Sequence, residues 1–194
     1  MENREFAERY ETGRLILRRY AHDDASGIVS LVEDNRHELL REFSQLASLR
    51  NEAEAHSFID EKLEQWTAAK TFCYGIWRKQ EIQQIGQIQV KNIAWEVPCA
   101  ELGYFIGEKW QGQGFASESI TTVLRLAFER MTFQSIFVRI LPSNQKSFAL
   151  AMKLGFLEEG VLRSAFRCGH GELHDVRCLS LTQADYQKGS KIGT

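Results

Sequence analysis

Hydrophobic and polar positions change rhythm several times along this chain, and each rhythm names an element. In TGRLILRRY, Leu15 and Leu17 alternate with Arg14, Ile16 and Arg18, which predicts a first strand. His22-Asp23-Asp24 offers a carboxylate cap ahead of Ile28, Leu31 and Val32 at helical spacing. Leu39, Leu40, Phe43 and Leu46 continue the helical pattern until Ser48 to Asn51 break it. Phe58, Ile59, Leu63 and Trp66 then mark a second amphipathic helix, so the first third reads β-α-α.

The middle changes to strand. TFCYGIWRK is rich in aromatic and β-branched residues, RKQEIQQ is a polar turn, and Ile88 and Val90 alternate with Gln87, Gln89 and Lys91. Trp95 to Pro98 connect to a further strand, AELGYFIG, and the short connections predict an antiparallel meander. After the turn EKWQGQGFA, the residues Ile120, Val123, Leu124, Ala127, Phe128 and Met131 recur at helical spacing from a start near Ala116. FQSIFVRIL is the next strand, and strand–helix–strand implies a parallel pair with a right-handed crossover. Asn144 can cap a helix that runs through Leu154 and stops at Gly155. GFLEEGVLRSAFR and ELHDVRCLSL are two strands joined around Cys168 to Gly171. The order β-α-α-β-β-β-α-β-α-β-β is mixed α/β with a mostly antiparallel sheet and a parallel pair around the glycine turn. We expect one domain over residues 1–194, with 182–194 as a frayed tail.

Composition narrows the setting. Hydrophobic residues make up 43% of 194 positions and charged residues 26%, as in an ordinary globular protein. A net charge of −2 and a pI near 6.2 give no general attraction to nucleic acid or acidic membranes. The charged N-terminus lacks a secretory signal and no apolar run is long enough to span a bilayer, so a cytoplasmic location is expected. Cys73, Cys99, Cys168 and Cys178 are too sparse for a disulfide scaffold.

The chemistry concentrates in Gln111-Gly112-Gln113-Gly114-Phe115-Ala116. Two glycines allow positive φ and close ligand approach, and the following helix leaves its first amides unpaired. Such a turn suits a phosphate or pyrophosphate; it is equally compatible with an unliganded strand-to-helix turn. No Lys follows Gly114 as a P-loop needs, and Ser117 stands where a dinucleotide fingerprint needs a third glycine.

With these alternatives set aside, the chain resembles the GNAT N-acetyltransferase superfamily, in its branch of RimJ/RimL-like ribosomal-protein N-terminal acetyltransferases. The family's Gln/Arg-x-x-Gly-x-Gly/Ala signature is met at 111–116, and AELGYFI matches the branch's Glu-Ile-Gly-Tyr strand. Asn144-Gln145-Lys146-Ser147 and Lys153-Leu154-Gly155-Phe156 resemble its Asn-x-x-Ser…Lys-Leu-Gly-Phe segment. GRLILRRY and LHDVRCLSL also match, so the likeness runs from about Thr12 to Leu181 in the family's order.

The resemblance implies a GNAT-like acyl-CoA N-acyltransferase fold, acetyl-CoA as cosubstrate, no metal, and direct attack by a primary amine in a ternary complex. The leading acceptor is a protein N-terminal α-amine of ribosomal-protein type; polyamines, aminoglycosides and other small amines are alternatives. It implies that Gln111, Gly112 and the amides of Gln113, Gly114, Phe115 and Ala116 hold the pyrophosphate, with Asn144 also touching the coenzyme. The strand at Tyr104, Phe105 and Ile106 would pair with the pantetheine arm, and a free amide on it would polarise the thioester carbonyl. Glu101 is the candidate base, ahead of Glu108 and Asp175. The family's common tyrosine acid falls at Ala151, so Ser147 is the candidate for stabilising the thiolate, against a helix-interior serine bonded to a carbonyl. A non-catalytic acyl-CoA-binding module is the rival reading. Cys99 is read as a small core residue rather than a nucleophile. Cys168, His170, His174 and Cys178 contain enough ligands for zinc but not a usual structural-zinc spacing, and the branch's His-Asp pair falls at His174 and Asp175; no metal is expected. A homodimer is left open.

Overall fold

The computed structural model describes residues 6–192. Its elements follow in the order β1 (Arg9–Glu11), β2 (Leu15–Arg19), α1 (Ala25–Glu42), α2 (Ser44–Ala47), α3 (Glu52–Thr67), β3 (Phe72–Arg78), β4 (Gln83–Ala94), β5 (Cys99–Ile106), α4 (Phe115–Arg125), β6 (Ser135–Ile140), α5 (Gln145–Lys153), β7 (Leu157–Arg167), β8 (Leu173–Thr182) and α6 (Gln183–Ile192). The strands form one sheet in the order β1-β2-β3-β4-β5-β6-β8-β7. Only β5 and β6 are parallel among the described pairs, and α4 makes the crossover between them. The mixed, mostly antiparallel sheet expected from the pattern is therefore present, with short β1 and α2 added to the expected elements.

Each face of the sheet carries its own core. Helices α1 to α3 cover one face, where Ile28, Leu39, Phe58 and Ile59 meet Ile16, Cys73, Trp77 and Phe105. The other face buries Leu15, Leu17, Tyr74, Ile88 and Val90 against Ile120, Val123, Phe128 and Phe156. This corrects the reading of the first strand: Ile16, taken as an outward partner of Leu15 and Leu17, is 7% exposed because helices cover the second face too. The strand is buried on both sides, which removes the period-2 polarity on which alternation depends. Full burial of one such side chain contributes about 1.5–3 kcal/mol.

Two further features refine the pattern. After α4 the backbone widens into a π-helical turn at Leu126–Arg130, with Met131 N–H bonded to Leu126 O at 3.0 Å. Residues 183–192, expected to fray, instead form α6. Thr182 Oγ1 accepts the Asp185 amide at 3.2 Å, which ties down the first turn. Tyr186 stacks on Phe128 with centroids 4.9 Å apart and donates to Glu129 Oε1 at 2.8 Å. The charged and glycine-containing sequence hides one aromatic anchor, and that anchor holds the helix.

Candidate active site

The site is a fork in the sheet. β5 and β6 are in register only at Cys99–Ser135, Ala100–Ile136 and Glu101–Phe137, and β5 then continues to Ile106 without β6. Gly107 donates its amide to Ile85 O at 2.8 Å, beside the Gly86–Ile106 pair. Bonded pairs alternate along an antiparallel ladder, so Gly103 and Phe105 turn their backbone groups to β4. Leu102 gives its amide to the last β5–β6 pair, Glu101–Phe137, and Tyr104 and Ile106 turn theirs toward the gap. Gln111 Nε2 already occupies Ile106 O at 3.1 Å, which leaves the amides of Tyr104 and Ile106 for a ligand. Of the strand residues expected to bind the coenzyme, Tyr104 and Ile106 therefore face the gap. Phe105 does not: its backbone belongs to β4 and its ring packs 6.0 Å from Phe43.

Glu101 stands where the fork opens and is 4% exposed. Its Oε2 accepts from Asn92 Nδ2 at 2.7 Å and pairs with Arg139 Nη2 at 3.0 Å, while Oε1 lies 3.5 Å from Lys91 Nζ. Asn92 reaches it from an irregularity in the β4–β5 ladder, where its φ is +50°. The carboxylate thus accepts one hydrogen bond and faces a cation at each oxygen. The geometry makes Glu101 a clamp on β4, β5 and β6.

A second carboxylate, absent from the sequence reading, enters the same cleft from α1. A cavity of about 60 Å³ is lined by Glu42, Phe43, Glu101 to Tyr104, Arg139, Ser147, Phe166 and Val176. Asn144 caps α5 through its Oδ1, which accepts the Ser147 amide at 3.0 Å, and donates from Nδ2 to Glu42 Oε1 at 2.6 Å. Both ends of the Asn144 amide are therefore engaged within the protein. Burial pushes the Glu42 carboxyl up; the Asn144 bond and Arg41 oppose this, and Glu38 adds to it. The Tyr104 hydroxyl is buried without a partner at hydrogen-bond geometry. Burial also pushes its phenol up, the nearby Ser147 hydroxyl pulling down and Glu42 pushing further up. Ser147 is thus a polar neighbour of Tyr104 rather than the owner of a formed bond.

The glycine turn lies beyond the open end of β5. Gly112 and Gly114 have φ of +74° and +83°, and Gly114 is the N-cap of α4 with no side-chain cap bond. The first-turn amides consequently point out without a competing acceptor. Arg14 holds the turn to β2: Nη1 donates to Gln113 O at 2.9 Å, Nη2 pairs with Glu118 Oε2 at 2.6 Å, and the guanidinium lies 4.6 Å from the Phe115 ring centre. Thr12 bonds the same Glu118 carboxylate. Phe115 is buried, so only its amide can serve a ligand. Gln111 closes the turn through Ile106, and Lys146 Nζ sits 3.0 Å from Gln111 Oε1. Gln113 Nε2 donates to Lys109 O at 3.1 Å, so its side chain also stays within the turn.

Other candidates lie elsewhere. Glu108 is exposed on a larger groove of about 510 Å³ beside α1, where no other candidate base or acid converges. Asp175 Oδ1 accepts the Ser164 amide at 2.8 Å and serves the β7–β8 hairpin. Cys99 pairs with Ala94 and Ser135 at the closed end of the fork. At the hairpin turn, donor atoms of Cys168, Glu172 and His174 lie within 4.8 Å of one another, while Cys178 is further along β8 opposite Gly160.

A model of the acetyltransferase (GNAT) domain matches residues 14–157. The chain belongs to the GNAT acetyltransferase family. Among its relatives, the uncharacterized N-acetyltransferase YoaA of Bacillus subtilis is 30% identical over 174 residues, spanning 89% of this chain and 96% of that protein. The ribosomal protein uS5-alanine N-acetyltransferase of Escherichia coli is 27% identical over 190 residues, spanning 93% and 94%. In fold, the microcin C7 self-immunity acetyltransferase MccE, solved with acetyl-CoA and AMP, superposes with a TM-score of 0.82 at 22% identity over 88% of this chain and 93% of that one. This GNAT protein is an N-acetyltransferase with acetyl-CoA as cosubstrate and an amine as acceptor. Its fork and glycine turn fit that cosubstrate: amides on β5 can pair with an amide-bearing arm, and helix-terminal amides can meet phosphate charge.

Proposed function

We propose that the acceptor is the N-terminal α-amine of a polypeptide, as in acetylation of a ribosomal protein in the cytoplasm. The supporting observation is the charge inventory of the cleft. Glu101 faces Lys91 and Arg139, which leaves Glu42 as the lining carboxylate without a cation in contact among the described residues. One carboxylate suits one amine. A polyamine carries several positive charges and calls for an acidic track, which this lining does not supply. An α-amine, with an ordinary pKa near 7.7–8.0 against about 10.4 for Lys, also needs less help to lose its proton. The near full-length likeness to a uS5-alanine N-acetyltransferase supports the same acceptor class. The amine attacks directly, and the Ser147 hydroxyl donates a hydrogen bond to the departing sulfur.

Thiol release across an amine panel tests this. Peptides beginning with Ala or Ser are expected to turn over, with their N-acetylated copies and spermidine inert. Preference for spermidine or an aminoglycoside would replace the peptide reading. Coenzyme binding without thiol release on any amine would favour a non-catalytic binding module.

A further inference from the structure

We propose that Glu42 is the catalytic base that takes the proton from the attacking amine. This rests on the acceptor being an amine, and not on which amine it is.

Four observations converge on Glu42. It is the last residue of α1, and it lines the cleft into which β5 presents its free amides. Its Oε1 is fixed by Asn144 Nδ2 at 2.6 Å, and Asn144 is itself fixed as the cap of α5, so the carboxylate is held by two helices. The described residues place no donor on Oε2, which leaves that oxygen for a substrate N–H. Finally, burial keeps the carboxyl above its ordinary range, the direction that makes a carboxylate a better proton acceptor near neutral pH. The charged and titratable groups around it are Arg41 and Glu38 on α1, Tyr104 and Glu101 on β5, Lys91 on β4 and Arg139 on β6. Lys91 and Arg139 are spent on Glu101, so they do not neutralise Glu42 by contact.

The step balances without another reagent. The neutral amine's lone pair forms the C–N bond with the thioester carbonyl carbon. The C–S bond breaks with its electron pair going to sulfur, and one N–H proton passes to Glu42 Oε2. Sulfur takes a proton from water and Glu42 returns its own to solvent, so amine plus thioester gives amide plus thiol. The Tyr104 hydroxyl, buried, protonated and without a partner, faces this event as a hydrogen-bond donor.

Glu42→Gln is the informative variant, because a Gln carbonyl can still accept from Asn144 and keep the two helices joined. With the best amine of the panel, kcat is expected to fall about 100-fold at pH 7, with KM for acetyl-CoA unchanged. The acid limb of the kcat/KM profile should lose one ionisation, the amine's own remaining. A kcat within threefold of the parent, or a uniform loss with both ionisations intact, would overturn the assignment. Carboxyl ¹³C resonances of protein labelled at glutamate give a readout that needs no acceptor. One signal should titrate above the ordinary Glu value near 4.3 and vanish in Glu42→Gln. If Glu42 instead titrates with the bulk carboxylates, the proposal fails whatever the acceptor. If spermidine proves the acceptor, the peptide reading fails while the Glu42 experiment proceeds on spermidine.

Discussion

Gly114 shows how much one residue without a side chain can carry. Its φ of +83° places it in the left-handed region, and a Cβ there would stand 3.3 Å from Arg14 Nη2. The same residue is the N-cap of α4, so its conformation aims the first-turn amides. Gly114→Ala is expected to cost about 1–2 kcal/mol in urea denaturation and to weaken acetyl-CoA binding in calorimetric titration. Unchanged affinity would mean that the turn does not hold the phosphates. Gly112, by contrast, has open space around its missing Cβ, so only the backbone strain would be felt there. Both glycines were legible as a turn from the sequence, because conformational permission is a local property. Glu42 was not. It sits in the charged stretch LLREF with nothing local to separate it from Glu38 or Glu33, and its partner Asn144 is 102 residues away.

Between elements, the Arg14–Glu118 pair ties β2 to the first turn of α4 and so to the glycine turn. Burial pushes the Glu118 carboxyl up, but Thr12 and the backbone and side chain of Arg14 outweigh it and hold the group below its ordinary range. A depressed carboxyl contributes stability that is present above its unfolded value and lost as pH falls through the folded value, since the unfolded chain then binds more protons. Glu118→Gln should therefore be less stable by about 1 kcal/mol at pH 7, a modest figure because Arg14 is half exposed. The difference should shrink as pH drops below roughly 4. Melting temperatures of both proteins across that range check the sign, and a gap that widened in acid would contradict it. At this scale the sequence was informative wherever one face of an element was polar, as in α4. It misled where both faces were covered, as at Ile16, or where one aromatic anchor decided, as with Tyr186 on α6.

For the whole molecule, the decisive feature is that the sheet opens between β5 and β6 and stays closed at Glu101. Removing that carboxylate would leave Arg139 and Lys91 facing each other across the fork. Breaking a buried pair costs up to 3–5 kcal/mol, and the partial exposure of both cations reduces this to about 2 kcal/mol. Glu101→Gln is thus expected to lower stability by that amount in chemical denaturation while keeping the amine-dependent acid limb. A stable variant that had lost the limb would return the base to Glu101. The order of strands and helices, the glycine turn, the cap at Asn144 and the family itself were set by short stretches, because helix and strand periodicity, glycine conformation and capping act over a few residues. Which carboxylate is neutralised, which is left open, and which amides β5 keeps free depend on contacts between α1, α5 and three strands. The deciding ones join residues far apart in sequence, Glu101 with Arg139 and Glu42 with Asn144, and only packing brings these within reach.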